Sequence, residues 1–269
     1  MKILRKELKN GFKEFFWWFI GYSLLVFLMC FKTSAIVGID GNQQMVALLS
    51  SFPKAFKNLF GLGVVDFSKV EGVYTILFMY MALVASFYSA ISGFNVVSKE
   101  ESMNTIEFLY VKPISRNRIL LAKITSGFFY IILFSLLSYF VVIYSTNYIF
   151  DYWMNDFAIL LSISLFFTMA LFYSFCLFLS VLIKNMKVAL NLGFASVIVA
   201  FLLLIMALTT EDTNLYKWIP RFLSPFWLFD ARGLLLEGLS IIRISQALSF
   251  IIFSNAISFI LHRNRDFLG

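Results

Sequence analysis

Charged side chains are scarce here: they make up 14% of the 269 residues, against about 25% in a typical soluble domain. A chain so poor in charge cannot cover a water-facing surface, so a soluble globular fold is excluded. Proline is also rare, with 4 residues, which permits long unbroken helices. The 2 cysteines, Cys30 and Cys176, lie inside apolar stretches. They read as buried small hydrophobes, with no disulfide framework or metal set implied. The single histidine, His262, cannot supply a metal cluster or a Ser-His-Asp set by itself. No Gly-x4-Gly-Lys-Ser/Thr phosphate loop occurs, so the chain has no such site for hydrolysing ATP itself.

What the chain has in abundance is apolar side chain: 61% hydrophobic residues, 34 of them Phe, and a mean hydropathy of +0.86. A membrane-crossing helix needs about 20 mainly apolar residues. Six segments meet this test: Phe15–Val37, Val73–Val97, Ile124–Ser145, Phe157–Ile183, Val188–Leu208 and Ile241–Leu261. An all-α integral membrane protein with six transmembrane helices in a single domain, 1–269, is expected. The first run is long enough to span and no small-residue cleavage site follows it, so it reads as an uncleaved span rather than a signal peptide.

The net charge of +7 reads as an orientation signal. With both termini inside, the inner pieces hold Lys2, Arg5, Lys6, Lys9, Lys13, Lys99, Lys112, Arg116, Arg118, Lys123, Lys184, Lys187, Arg263 and Arg265. The outer pieces, longer in total, hold only Lys54, Lys57, Lys69, Lys217, Arg221, Arg232 and Arg243, with Lys32 near the outer end of the first span. Ahead of that span, Met1–Glu14 places Leu4, Leu8, Phe12 and Phe15 on one helical face with basic residues around them, an interfacial amphipathic helix. It is either a simple anchor or a lever that also touches a cytoplasmic partner. The outer stretch 38–72 contains the apolar Met45–Leu62, expected as a surface or re-entrant element. The outer segment 209–240 carries Trp218 and Trp227, residues that commonly mark the interface belt.

Spans two to six have no Asp, Glu, Lys or Arg in their apolar cores. Ion-coupled transporters usually need such groups, so the energy for a pump would come from outside the membrane. The second span repeats small residues every four positions: Ala82, Ser86 and Ala90, then Ala85, Ser89 and Gly93. Such spacing lets helix backbones approach closely, as packing inside the chain, a dimer seam or a pathway wall. Asn191, Gly193 and Ser196 offer similar groups in the fifth span.

The long inner loop, 98–123, has its own pattern. Ser98 and Glu101 have capping-box spacing for a short helix reaching about Val111, which Pro113 ends. Ser115 is placed to cap a new helix from Arg116. Ile106, Phe108, Leu109 and Tyr110 form an apolar cluster suited to docking a partner. At Glu100, Glu101, Thr105, Ile106, Glu107, Leu109, Pro113, Ile114, Ser115, Arg116 and Lys123 the sequence resembles the type 2 permease family of ATP-binding-cassette transporters, with Asn104 where a Gly usually precedes the Thr. The run Leu223–Asp230 is similar to that family's outer Ser-Pro-Phe segment.

The resemblance implies a permease paired with a second copy or paralogue and with two cytoplasmic ATPase subunits. The ATPases would hold ATP and magnesium, and this chain would bind no cofactor. Glu100–Val111 would be the coupling helix, with Glu100 and Glu101 steering the ATPase contact. Export of an apolar or amphipathic cargo, such as a peptide, drug or antimicrobial, from a bacterial plasma membrane is the expected activity. Sodium export also occurs on this plan. An ion-coupled or passive carrier and a non-transporting scaffold or immunity protein are the alternatives. A membrane protease built on a Glu-Glu pair fits poorly, because Thr105 stands where such a motif needs Arg.

Overall fold

A computed structural model describes residues 2–37, 57–58, 65–67, 69–102, 116–183, 185–209, 221 and 223–263. Among them the elements are all helices: α1 (Lys2–Val37), α2 (Val70–Ser102), α3 (Arg116–Phe150), α4 (Asn155–Leu182), α5 (Met186–Thr209), α6 (Pro225–Leu228), α7 (Ala231–Glu237) and α8 (Ile241–Arg263). Six of these, all but α6 and α7, are long and apolar enough to cross a membrane. The six expected spans are therefore present, in the expected order.

The helices outrun the apolar stretches that announce them. At about 1.5 Å per residue, α1, α2 and α3 each measure about 50 Å, well beyond a hydrocarbon core of about 30 Å. The amphipathic stretch is not a separate element: α1 runs unbroken from Lys2 into the span. No proline interrupts it, and Gly11 sits against the Tyr130 ring, where a Cβ would come within 2.8 Å. The expected apolar stripe is divided, with Leu8 and Phe15 packed inward and Phe12 exposed.

Lipid tails are as apolar as leucine, so helices in a membrane are held by close packing and polar contacts rather than by burial from water. The most extensive interface joins α2 to α4. It closes at Gly93, where a Cβ would fall on the Tyr173 carbonyl. The Tyr173 ring in turn fills the space left by Gly127 of α3, and its hydroxyl donates to the Ile124 carbonyl at 3.3 Å. On the other side, α1, α2 and α3 meet in an aromatic cluster. Phe134 at its centre lies 4.9 Å from Tyr22 and 5.4 Å from Tyr88, with Phe15 and Phe19 edge-on. Aromatic pairs of this kind each add about 1 kcal/mol beyond area burial. Towards the end of the bundle away from the α2–α3 connection, the outer end in the expected orientation, Cys30, Tyr74 and Ser145 link the same three helices in a buried polar chain of 2.9 and 2.7 Å contacts.

The short connections are set locally. Asp151 takes a left-handed conformation (φ 51°) between α3 and α4, one that Asp tolerates better than most residues. Asn185 starts α5 by accepting the backbone N–H groups of Lys187 and Val188 at 3.1 and 3.3 Å. Helix α8 is fastened to α4 through Ser174: Ser254 donates to its carbonyl at 2.9 Å and Asn255 to its hydroxyl at 2.8 Å.

The outer segment does more than rest at the interface. Ser224 donates to the Ala200 carbonyl at 2.7 Å, and Pro225 opens α6. Phe226 then wedges between Phe172 and Phe201, at 5.1 and 5.8 Å, while Phe229 stacks on Phe167 at 5.3 Å. Helix α7 follows, ending at Gly238 in a positive-φ conformation (74°) open to glycine. Trp227 is half-buried under the Arg221 guanidinium, 4.7 Å from the ring centroid. Trp218 and most of Met45–Leu62 lie outside the described residues.

Candidate functional site: a polar joint at the inner ends of three helices

The connection between α2 and α3 is the stretch singled out by the sequence. Thr105, Ile106, Glu107, Leu109, Pro113, Ile114 and Ser115 lie outside the described residues, and so do the side chains of Glu100, Glu101 and Arg116. The backbone at both ends is placed. Helix α2 continues through Glu100 and Glu101 to Ser102, so Ser98 is an interior residue of α2, buried, and not the cap of a new helix. A capping residue must leave the helical conformation; with no glycine or proline between Asn95 and Ser102, and with Lys99 favouring the negative end of the helix dipole, nothing stops α2 at Ser98. Helix α3 begins at Arg116, where the sequence places a start.

Directly beneath this connection, α1, α2 and α3 meet in a cluster of polar and charged groups. Asn95 of α2 donates its amide to both carboxylate oxygens of Glu14 on α1, at 3.2 and 3.4 Å, and Lys99 adds an attractive charge. Lys123 of α3 is 7% exposed and donates to the Val96 carbonyl of α2 at 2.8 Å. Tyr130 of α3 donates to the Leu8 carbonyl of α1. Between these groups lies a cavity of about 60 Å³, room for water among polar partners. Glu7, Asn10, Gly11 and Glu14, at helical spacing on α1, form its α1 wall. Amphipathicity analysis of α1 attends to its leucines and lysines and passes over this narrow acidic face. The i, i+7 spacing of Glu7 and Glu14, two helical turns apart, together with an asparagine inside an apolar run, is the signal that could have found it.

The small-residue face of α2 lies elsewhere. Ala82, Ser86, Ala90 and Gly93 are all buried inside the chain, facing α4 and its neighbours. Ser86 returns its hydroxyl to the Ala82 carbonyl at 2.7 Å, while the buried Ser89 hydroxyl has no hydrogen-bond partner among the described residues. Asn191 does not join them: it is exposed on α5, on a stripe with Val188, Ala195, Ile198 and Leu202.

A second charged group closes the outer end. The Asp230 carboxylate and Arg232 pair at 3.1 Å with side chains only 14% and 12% exposed. Arg232 also donates to the Asn58 carbonyl at 2.8 Å, tying two outer segments together. Burial raises the Asp230 carboxyl above its ordinary value, with the nearby Arg232 pulling back. At the same end Tyr152 donates to the Glu71 carboxylate, a bond that raises the phenol.

Six apolar helices, with the buried charge of the described residues confined to the two ends, define a polytopic membrane protein, and among the described residues no group of His, Cys, Asp or Glu could hold a metal. The chain belongs to the ABC-2 family transporter proteins, whose family model matches residues 1–262. That is the family the inner-loop motif resembles. Membership carries with it a place in the membrane and association with ATP-binding-cassette ATPase subunits. No curated protein matches the chain.

Proposed function

We propose that this chain is the permease subunit of an ATP-driven exporter, working as a pair with a second permease and with two separate ATPase subunits that hold ATP and magnesium. The family match over residues 1–262 carries this reading. The distribution of charge supports it. Ionisable residues in the spanning helices stand near their ends, as suits a mechanism driven from the cytoplasm rather than by an ion moving through the membrane. Both termini and the 103–115 connection face the cytoplasm, in keeping with the placement of the basic residues.

In this reading the Glu100–Val111 stretch seats in the ATPase, with Ile106 and Leu109 as apolar contacts and Glu100 and Glu101 steering the approach. The cargo is apolar or amphipathic and leaves from the inner leaflet or cytoplasm of a bacterial plasma membrane. Purifying the tagged chain from its native membrane in a gentle detergent tests the assignment. A soluble ATPase should co-elute in equal amount with the permease, and Leu109→Asp should remove most of it. A stable chain that elutes with no ATPase would overturn the exporter reading in favour of an unassisted carrier or scaffold.

A further inference from the structure

The seam between α1, α2 and α3 is packed with aromatic rings and, among the described residues, opens into a cavity at the level of Glu14. On the outer side of that level, Phe15 rests on Tyr130 at 5.1 Å and on Tyr88 at 6.4 Å. Such ring packing leaves little room for movement, and Tyr88 and Tyr130 themselves border the cavity. At Glu14, Asn95 and Lys123 the aromatic packing gives way to long polar side chains around the 60 Å³ cavity. The Glu14 oxygens accept at 3.2 and 3.4 Å, lengths at the weak end of the range. Polar contacts beside water can exchange partners at little cost, because water replaces each bond as it breaks.

The position of this level matters as much as its chemistry. Lys123 holds the Val96 carbonyl, six residues before the end of α2 and seven beyond the start of α3. Asn95 is the neighbouring residue and reaches across to α1. Load applied to the 103–115 connection therefore falls on the last turns of α2 and the first turns of α3, and Asn95–Glu14 is the bridge from α2 to α1 at this level, beside the Tyr130–Leu8 contact from α3.

We infer that Glu14, Asn95 and Lys123 form a shearing joint that passes movement of the inner ends of α2 and α3 to α1. They are positioning residues: Glu14 and Asn95 carry the displacement sideways, and Lys123 keeps α2 and α3 moving as one. The joint deepens the exporter reading and rests on it for the source of the movement, whereas its mechanical part belongs to this chain alone.

The test uses spin labels on two exposed residues, Lys13→Cys on α1 and Arg118→Cys on α3; the native Cys30 and Cys176 are buried. In the chain alone, reconstituted in lipid nanodiscs, the label pair should give one narrow distance. The isosteric Glu14→Gln should broaden it, and an unchanged distribution would overturn the joint. In the complex with its ATPase, ATP with vanadate should shift the distance. Glu14→Gln should lose that shift while hydrolysis stays within about twofold, lowering the yield of shifted molecules by about tenfold. Exchanging the charges, Glu14→Lys with Lys99→Glu, should restore it, since the Asn95 amide can turn to accept from a lysine. A loss of shift with no rescue would reduce Glu14 to a packing residue and sink the proposal. If no ATPase accompanies the wild-type chain, the exporter reading fails, and the nanodisc distances still decide whether the joint exists.

Discussion

The two ends of the bundle are built in opposite ways. At the outer end, Phe226 is driven between α4 and α5 and Phe229 packs on α4, beside a partly buried ion pair, Asp230 with Arg232. At the inner end, Glu14, Asn95, Lys99 and Lys123 meet around a cavity. Interlocked rings lose contact steeply with any separation, whereas amides and carboxylates beside water trade one partner for another. An aromatic seal therefore holds one arrangement, and polar groups around a cavity with room for water tolerate several. The inner end is the one adjoining the connection that a cytoplasmic partner would engage.

This contrast can be broken most severely from outside. Phe226→Ala empties the wedge between Phe172 and Phe201 and should cost about 3 kcal/mol, read as a lower melting temperature of the purified chain in detergent. A loss as small as that of a surface substitution would mean that the outer segment is loosely seated. On the inner side, Asn95→Ala removes the donor to Glu14 and should cost about 1.5 kcal/mol, the scale of a hydrogen bond to a charged group. A larger loss than that of Phe226→Ala would reverse the comparison.

The smallest expected effect is one of pH. Because burial raises the Asp230 carboxyl, the folded chain holds that proton at pH values where the unfolded chain has released it. Stability contributed by this group therefore increases as pH falls through the raised value towards the ordinary 3.8. Asp230→Asn should remove that part of the slope in melting temperature between neutral and acidic pH. An unchanged slope would show that the carboxylate is better compensated by Arg232 than its burial suggests.

Much of this architecture is legible in the residue order. A run of about 20 apolar residues has few options in lipid, because every backbone group must bond within its own helix. The six spans and their sequence follow, although α5 starts already at Met186, earlier than the apolar run from Val188. The inner-loop motif pointed to the matched family, since its Thr-Ile-Glu and Pro-Ile-Ser-Arg pieces are short-range patterns that survive without a fold. Helix ends were less legible. Ser98 has the spacing of a cap, yet α2 passes through it to Ser102, because no glycine or proline breaks the helix there.

Which residues meet across the bundle is a different kind of fact. Glu14 reads as the last residue of an amphipathic stretch, Lys123 as one more inner positive charge, and Asn95 as an amide at the edge of a span. They lie far apart in the chain, and period and composition are silent on which face of α1 turns towards α2. That choice came from shape: Gly11 admits the Tyr130 ring, Gly93 admits the Tyr173 backbone and Gly127 admits its ring. These close approaches set the rotation of each helix about its axis, and the rotation carries the three polar side chains into one cavity. Apolar runs of adequate length define the helices; the packing of tyrosines against glycines defines where their charges meet.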